Sequence, residues 1–138
     1  MATPSALLDT DMLSEVMRDR DAHVREAGNR YLAEHGRLTF SLITRYEILR
    51  GLKARGAMRQ IMLFENQCAK SLVLPLTDPI IVRASEIYAD LYKQGELVSD
   101  ADILVAATAL THDLQLVTGN VSHFQRIPGL PLLNWRSL

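Results

Sequence analysis

A chain of 138 residues, 48% hydrophobic and 22% charged, has the makeup of one globular domain, with enough length for a real core and too little for two. Its net charge of −1 gives no overall pull on nucleic acid, its longest apolar run (residues 103–110, broken by Thr108) cannot span a bilayer, and its first residues lack the basic-then-apolar order of a secretory signal. The lone Cys68 excludes an internal disulfide and a cysteine-based zinc site, and it fits a reducing, cytoplasmic setting.

The chain opens on Ala6-Leu7-Leu8, a short apolar run that stops at Asp9. That is how a buried parallel strand ends when its carboxyl tip faces a crevice. From Thr10 to Arg18, Met12, Leu13, Val16 and Met17 recur at helical spacing. A second helix follows over residues 23–34, ended by Gly36. Residues 38–43 read as a second strand, and Thr44 opens a helix to about Arg55. Gly56 breaks that helix, and residues 57–70 form its hairpin partner. A third strand lies in residues 71–76. Asp78-Pro79 then opens a helix to about Gln94. Ser99 opens a strongly apolar helix to about His112; residues 115–118 are a fourth strand, and residues 132–134 an edge strand. Short apolar strands alternating with helices predict a three-layer α/β/α domain around a mostly parallel sheet of four or five strands.

In such a sheet ligands gather at the carboxyl ends of the strands, so the polar residues there matter most. They are Asp9 after the first strand, Glu47 after the second, Asp100 and Asp102 at the start of the apolar helix, and Asn120 after the fourth strand. Each has a plain structural explanation. Asp9 or Thr10 can cap a helix, and Thr44-x-x-Glu47 and Ser99-x-x-Asp102 both fit the capping-box pattern. Together they point elsewhere, because three distant segments bring carboxylates to one end of one sheet. Crowded carboxylates repel unless a cation sits among them or some take up protons. An oxygen-only set favours a hard divalent ion, Mg²⁺ or Mn²⁺, and such an ion suits phosphoryl hydrolysis.

These residues resemble the PIN-domain family, and within it the VapC-type toxin ribonucleases of toxin–antitoxin pairs. The resemblance spans nearly the whole chain. Its marks are Leu7-Leu8-Asp9-Thr10-Asp11, Glu47 within residues 44–52, Asp102 opening residues 102–110, Leu116-Val117-Thr118-Gly119-Asn120, Phe124, Pro128-Gly129-Leu130 and Asn134-Trp135. It implies a Mg²⁺- or Mn²⁺-dependent endoribonuclease, with Asp9, Glu47 and Asp102 as the acidic triad and Thr10 and Thr118 lining the pocket. The family's fourth acid falls on Asn120, which keeps an oxygen but loses a charge; Asp100 either offsets the loss or is a first-turn acid on the solvent side. The resemblance also implies an antitoxin partner and a toxin homodimer.

The basic residues cluster on or just after the helix that carries Glu47. Residues 44–60 hold Arg45, Arg50, Lys53, Arg55 and Arg59 against Glu47 alone. Arg45, Arg50, Lys53 and Arg55 are candidates to hold an RNA backbone, or form a solvated helix face. The hairpin over residues 44–70 carries more apolar side chains than one buried face needs, Tyr46, Leu49, Met58 and Met62 among them. They offer a surface to a partner segment, or more core. Two other functions stay open at this point. Asp9-x-Asp11 also resembles the first motif of haloacid-dehalogenase-type phosphatases, with Asp9 as nucleophile and Asp11 as acid/base. A non-catalytic PIN scaffold is the other. The four histidines have no ligand-like spacing and read as surface or packing residues, and Trp135 as an anchor for the tail.

Overall fold

The computed structural model describes residues 3–137. Five short strands carry the architecture: β1 (Ala6–Leu8), β2 (Thr39–Ser41), β3 (Leu72–Leu74), β4 (Gln115–Val117) and β5 (Leu132–Leu133). They lie in the order β3-β2-β1-β4-β5, and every neighbouring pair is parallel. The chain therefore builds outward from β1 in one direction, then returns to add β4 and β5 on the other side. This reversal leaves a crevice at the carboxyl ends of β1 and β4.

Seven helices cover the sheet: α1 (Thr10–Arg18), α2 (Ala22–His35), α3 (Leu42–Ala54), α4 (Met58–Ala69), α5 (Asp78–Gln94), α6 (Asp100–Thr111) and α7 (Val121–Phe124), with a closing 3₁₀ turn at Trp135–Ser137. Alternation along the strands sorts the core into two layers. Leu7 and Leu116 face one layer, where α5, α6 and α7 bury Ile80, Leu91, Val105, Ala106 and Phe124. Ala6, Leu8, Phe40 and Val117 face the other, where α1 to α4 and the tail bury Met12, Leu13, Val24, Tyr31, Phe64 and Trp135. The result is the expected three-layer α/β/α domain with an all-parallel sheet. Gly36 ends α2 as expected, at φ 80°, a backbone angle that residues with a Cβ rarely adopt.

The boundary after β2 differs from the sequence reading. The strand stops at Ser41, and α3 starts at Leu42 rather than Thr44. The buried Ser41 caps α3 by accepting from the Ile43 amide (3.2 Å), so the chain turns into the helix earlier. Glu47 consequently sits in the second turn of α3 and belongs to no capping box there. Likewise Thr77, not Asp78, takes the N-cap position of α5. The short α7 and the 3₁₀ turn were not expected, because neither is long enough to show a helical period.

Candidate active site

Asp9 follows β1 at the crevice and does two things at once. Its Oδ1 accepts from the Met12 amide (2.8 Å), which makes it the N-cap of α1. Its Oδ2 accepts from the Thr118 hydroxyl (2.5 Å), a residue 109 positions away at the tip of β4. Thr118 in turn accepts from the Asn120 amide (2.9 Å), so its hydroxyl proton is committed to Asp9. Capping and site roles are thus compatible in one carboxylate. Asp9 is 4% exposed, and among the described residues no Lys or Arg pairs with it. Burial pushes its pKa up to about 6; the Thr118 and Met12 hydrogen bonds oppose this, and the charges of Asp11 and Asp102 add to it.

Glu47 is delivered by α3 and held from α1. The Thr10 hydroxyl donates to Glu47 Oε1 (2.6 Å) and lies 3.1 Å from the hydroxyl of the fully buried Thr44. Arg50 lies 3.7 Å from the other carboxylate oxygen, with its guanidinium 5.1 Å from the Tyr46 ring centre. Asp102 comes from the first turn of α6, where its amide donates to the N-cap Ser99 (3.2 Å), one half of the expected capping box. The Asp102 pKa is also raised, first by burial and then by the charge of Glu47, against a lowering by Ser99 and His123. Asp9 feels Asp102 and Asp102 feels Glu47, so the three share one electrostatic neighbourhood.

The donors fit a hard divalent cation. They are carboxylate oxygens, one of them buried without a cationic partner; the charge of Asp102 disfavours that of Asp9, and the charge of Glu47 disfavours that of Asp102. Among the described residues no three such groups converge closely enough to cage an ion by themselves.

A cleft of about 510 Å³ runs from Thr10 and Glu47 between α1, α3 and α4. Met17, Ile48, Leu52, Leu63 and Phe64 line its apolar part; Arg18, Arg20 and Arg55 stand along it. The exposed Met58, Met62 and Tyr46 lie on the same α3–α4 hairpin, while Leu49 packs against the core.

A family model for the PIN domain matches residues 6–130. The chain belongs to the PIN-domain family. Ribonuclease VapC1 of Methanocaldococcus jannaschii is 30% identical over 114 residues, which cover 83% of this chain and 82% of that protein. The tRNA(fMet)-specific endonuclease VapC of Salmonella typhimurium is 28% identical over 130 residues, 94% of this chain and 96% of the relative. Among solved structures, DNA-bound VapBC from Salmonella typhimurium superposes with a TM-score of 0.85 at 27% identity, covering 96% of this chain and 99% of that one.

Within this PIN domain the other candidate residues fall in different places. Asp100 is exposed in the first turn of α6. Asn120 turns its amide to His123 Nδ1 (2.8 Å), and His123 stands 4.0 Å from Asp102. His123 was read from sequence as a surface or packing residue; its placement against Asp102 and Asn120 depends on the unforeseen α7. Arg45 is engaged with Glu65 and, at 3.2 Å, with Cys68, which ties α3 to α4. Lys53 also lies on the Glu65 side. Of the four basic candidates, Arg55 lines the cleft. Arg18 and Arg20 join it from the end of α1, and no periodicity pointed to them. Asp11, the acid/base of the phosphatase reading, pairs with Arg136 at 3.1 Å, and Glu47, idle in that reading, is held at the site.

Proposed function

We propose that this protein is a Mg²⁺- or Mn²⁺-dependent endoribonuclease, the toxin of a toxin–antitoxin pair, with Asp9, Glu47 and Asp102 as its acidic triad. The observation that carries the reading is the buried Asp9 at the switch point of the sheet, without a cationic partner among the described residues and disfavoured by the charge of Asp102, which Glu47 disfavours in turn. The relatives named as VapC ribonucleases supply the reaction class, and the VapBC complex among the structural neighbours supplies the kind of partner.

The three carboxylates would hold the ion, which when bound polarises a phosphoryl oxygen and lowers the pKa of a water. The chain's own groups set the geometry. Thr118 and the Met12 amide fix both oxygens of Asp9, and Thr10 fixes one oxygen of Glu47. Asp102 is placed by the Ser99 cap, with Asn120 and His123 at its edge. Arg18, Arg20 and Arg55 can hold the RNA backbone along the cleft, and such phosphate contacts position a strand without reading its sequence. The same cleft, with Tyr46, Met58, Met62 and Leu63 exposed beside it, suits an apolar antitoxin segment. A homodimer and a cytoplasmic location belong to the same reading.

The test is RNA cleavage by antitoxin-free protein with Mg²⁺, Mn²⁺ or EDTA, beside Asp9→Asn, Glu47→Gln and Asp102→Asn. Total cellular RNA and tRNA(fMet), for which the Salmonella relative is named, are the first substrates. Metal-dependent cutting lost in all three variants is the expected result. Retained cutting in the variants would sink the triad. Absence of cutting on either substrate, together with retained binding of antitoxin or RNA, would favour the non-catalytic scaffold.

A further inference from the structure

One guanidinium reaches the edge of the acidic site from the far end of the chain. Trp135 is buried against α2, where a Cβ on Gly28 would lie 3.6 Å from its ring, and it tilts against Tyr31 with ring centres 6.0 Å apart. That anchor delivers Arg136 to α1, 3.1 Å from Asp11 Oδ2 and 3.5 Å from Glu15 Oε1. Glu15 has Arg18 (3.2 Å) and Arg20 (3.9 Å) as further partners. Asp11 has, among the described residues, Arg136 alone.

Gly119 makes room for this contact. A Cβ built on it would lie 1.9 Å from Arg136 Nη1 and 2.9 Å from Asp11 Oδ2, so a side chain there would evict the guanidinium. Gly119 separates Thr118, which orients Asp9, from Asn120. The Arg136–Asp11 pair is therefore packed onto the site's own loop. Asp11 stands in the first turn of α1, the helix that Asp9 caps. Left unpaired, it would add a fourth acid beside Asp9, Glu47 and Asp102.

Resting on the nuclease reading above, we propose that Arg136 is a positioning residue for that reaction: it neutralises Asp11 at the rim and so lets the RNA strand reach Asp9, Glu47 and Asp102. It acts through Asp11 and touches none of the three acids. A partly screened charge at such a rim corresponds to about a three- to tenfold change in affinity for a charged ligand.

The experiment compares Arg136→Met, Arg136→Lys, Asp11→Asn, Gly119→Ala and the Arg136→Met/Asp11→Asn double variant with the wild type, on two readouts. In RNA cleavage, Arg136→Met raises KM about three- to tenfold with kcat within about twofold, and the gap narrows at high salt. Arg136→Lys keeps most of the wild-type KM, Gly119→Ala behaves like Arg136→Met, and Asp11→Asn restores the double variant. In titration of metal-free protein with Mn²⁺, Arg136→Met binds the ion about threefold more tightly or better, and Asp11→Asn reverses this. A wild-type KM in Arg136→Met overturns the proposal. So does a loss that Asp11→Asn fails to restore and that follows a fall in Tm, since that describes a structural tail contact. Failure of the wild type to cut RNA sinks the nuclease reading, and the Mn²⁺ series then decides the role of Arg136: equal affinities across the set overturn it.

Discussion

Asp9 caps α1 with a carboxylate whose burial disfavours its own charge. Its native pKa of about 6 lies above the ordinary 3.8, so the folded state binds the proton more tightly than the unfolded chain. The stability from that proton is fully present below about pH 4 and is lost as pH rises through about 6, a change of about 3 kcal/mol. Asp9→Asn should therefore stabilise the metal-free protein at pH 7.5 by about 1–3 kcal/mol, because Asn keeps a good N-cap oxygen and removes a buried charge. The gain should vanish near pH 4, where Asp9 is protonated; denaturant melts in EDTA at the two pH values measure it. A variant destabilised at both would show that the Thr118 contact outweighs the charge. Metal binding must displace the same proton, so Mn²⁺ affinity should climb steeply as pH passes about 6 and then flatten, as read by calorimetry.

Helix α3 separates its cap from the carboxylate proposed for the site, a separation that its sequence blurs. Thr44-x-x-Glu47 has the capping-box pattern, yet Ser41 holds the cap and Glu47 faces Thr10. Ser41→Ala should lower stability by about 1 kcal/mol, the usual value of an N-cap. Glu47→Gln, lacking any cap to lose, should leave the metal-free Tm level or slightly higher while cleavage falls to background. Thermal melts and RNA cleavage on the two variants separate the roles. The reason the sequence misplaces the boundary is local: Leu42-Ile43 continues the apolar run of β2, and nothing in the string says that Ser41 turns out of the sheet. The capping box at Ser99 was legible because Gly95 ends the preceding helix just before it, and its amide half forms as expected.

At the scale of the molecule, the α3–α4 hairpin leaves Met58, Met62 and Leu63 more than half exposed, at 69%, 67% and 52%. Surface substitutions of this kind usually move stability by less than about 0.5 kcal/mol. Met58→Gln with Met62→Gln, which adds no charge beside the cleft, should therefore melt like the wild type and cut RNA like the wild type, yet escape inhibition by the antitoxin. Cleavage assays with increasing antitoxin would show it, and full inhibition of the double variant would move the partner's seat off this hairpin. The same hairpin ties itself together through Arg45, Glu65 and Cys68, so its two helices should present the surface as one unit.

Periodicity and punctuation in the chain were enough to determine the alternation of strands and helices, the parallel sheet, the place of Asp9 directly after β1 and that of Asp102 at the start of α6. These follow from spacings of a few residues, where backbone geometry ties sequence directly to direction. Only the tertiary structure decided which polar groups meet. Thr118 reaches Asp9 across 109 residues and Arg136 reaches Asp11 across 125. Arg18, Arg20 and Arg55 share a cleft, while Arg45 is spent between two helices. Such partners are chosen by the strand order β3-β2-β1-β4-β5 and by the anchoring of Trp135, both of which depend on the packing of the whole core. A local pattern can supply a carboxylate and its place at a strand end; the hydroxyl that orients it, and the guanidinium that balances its neighbour, come from chain brought back over a long loop.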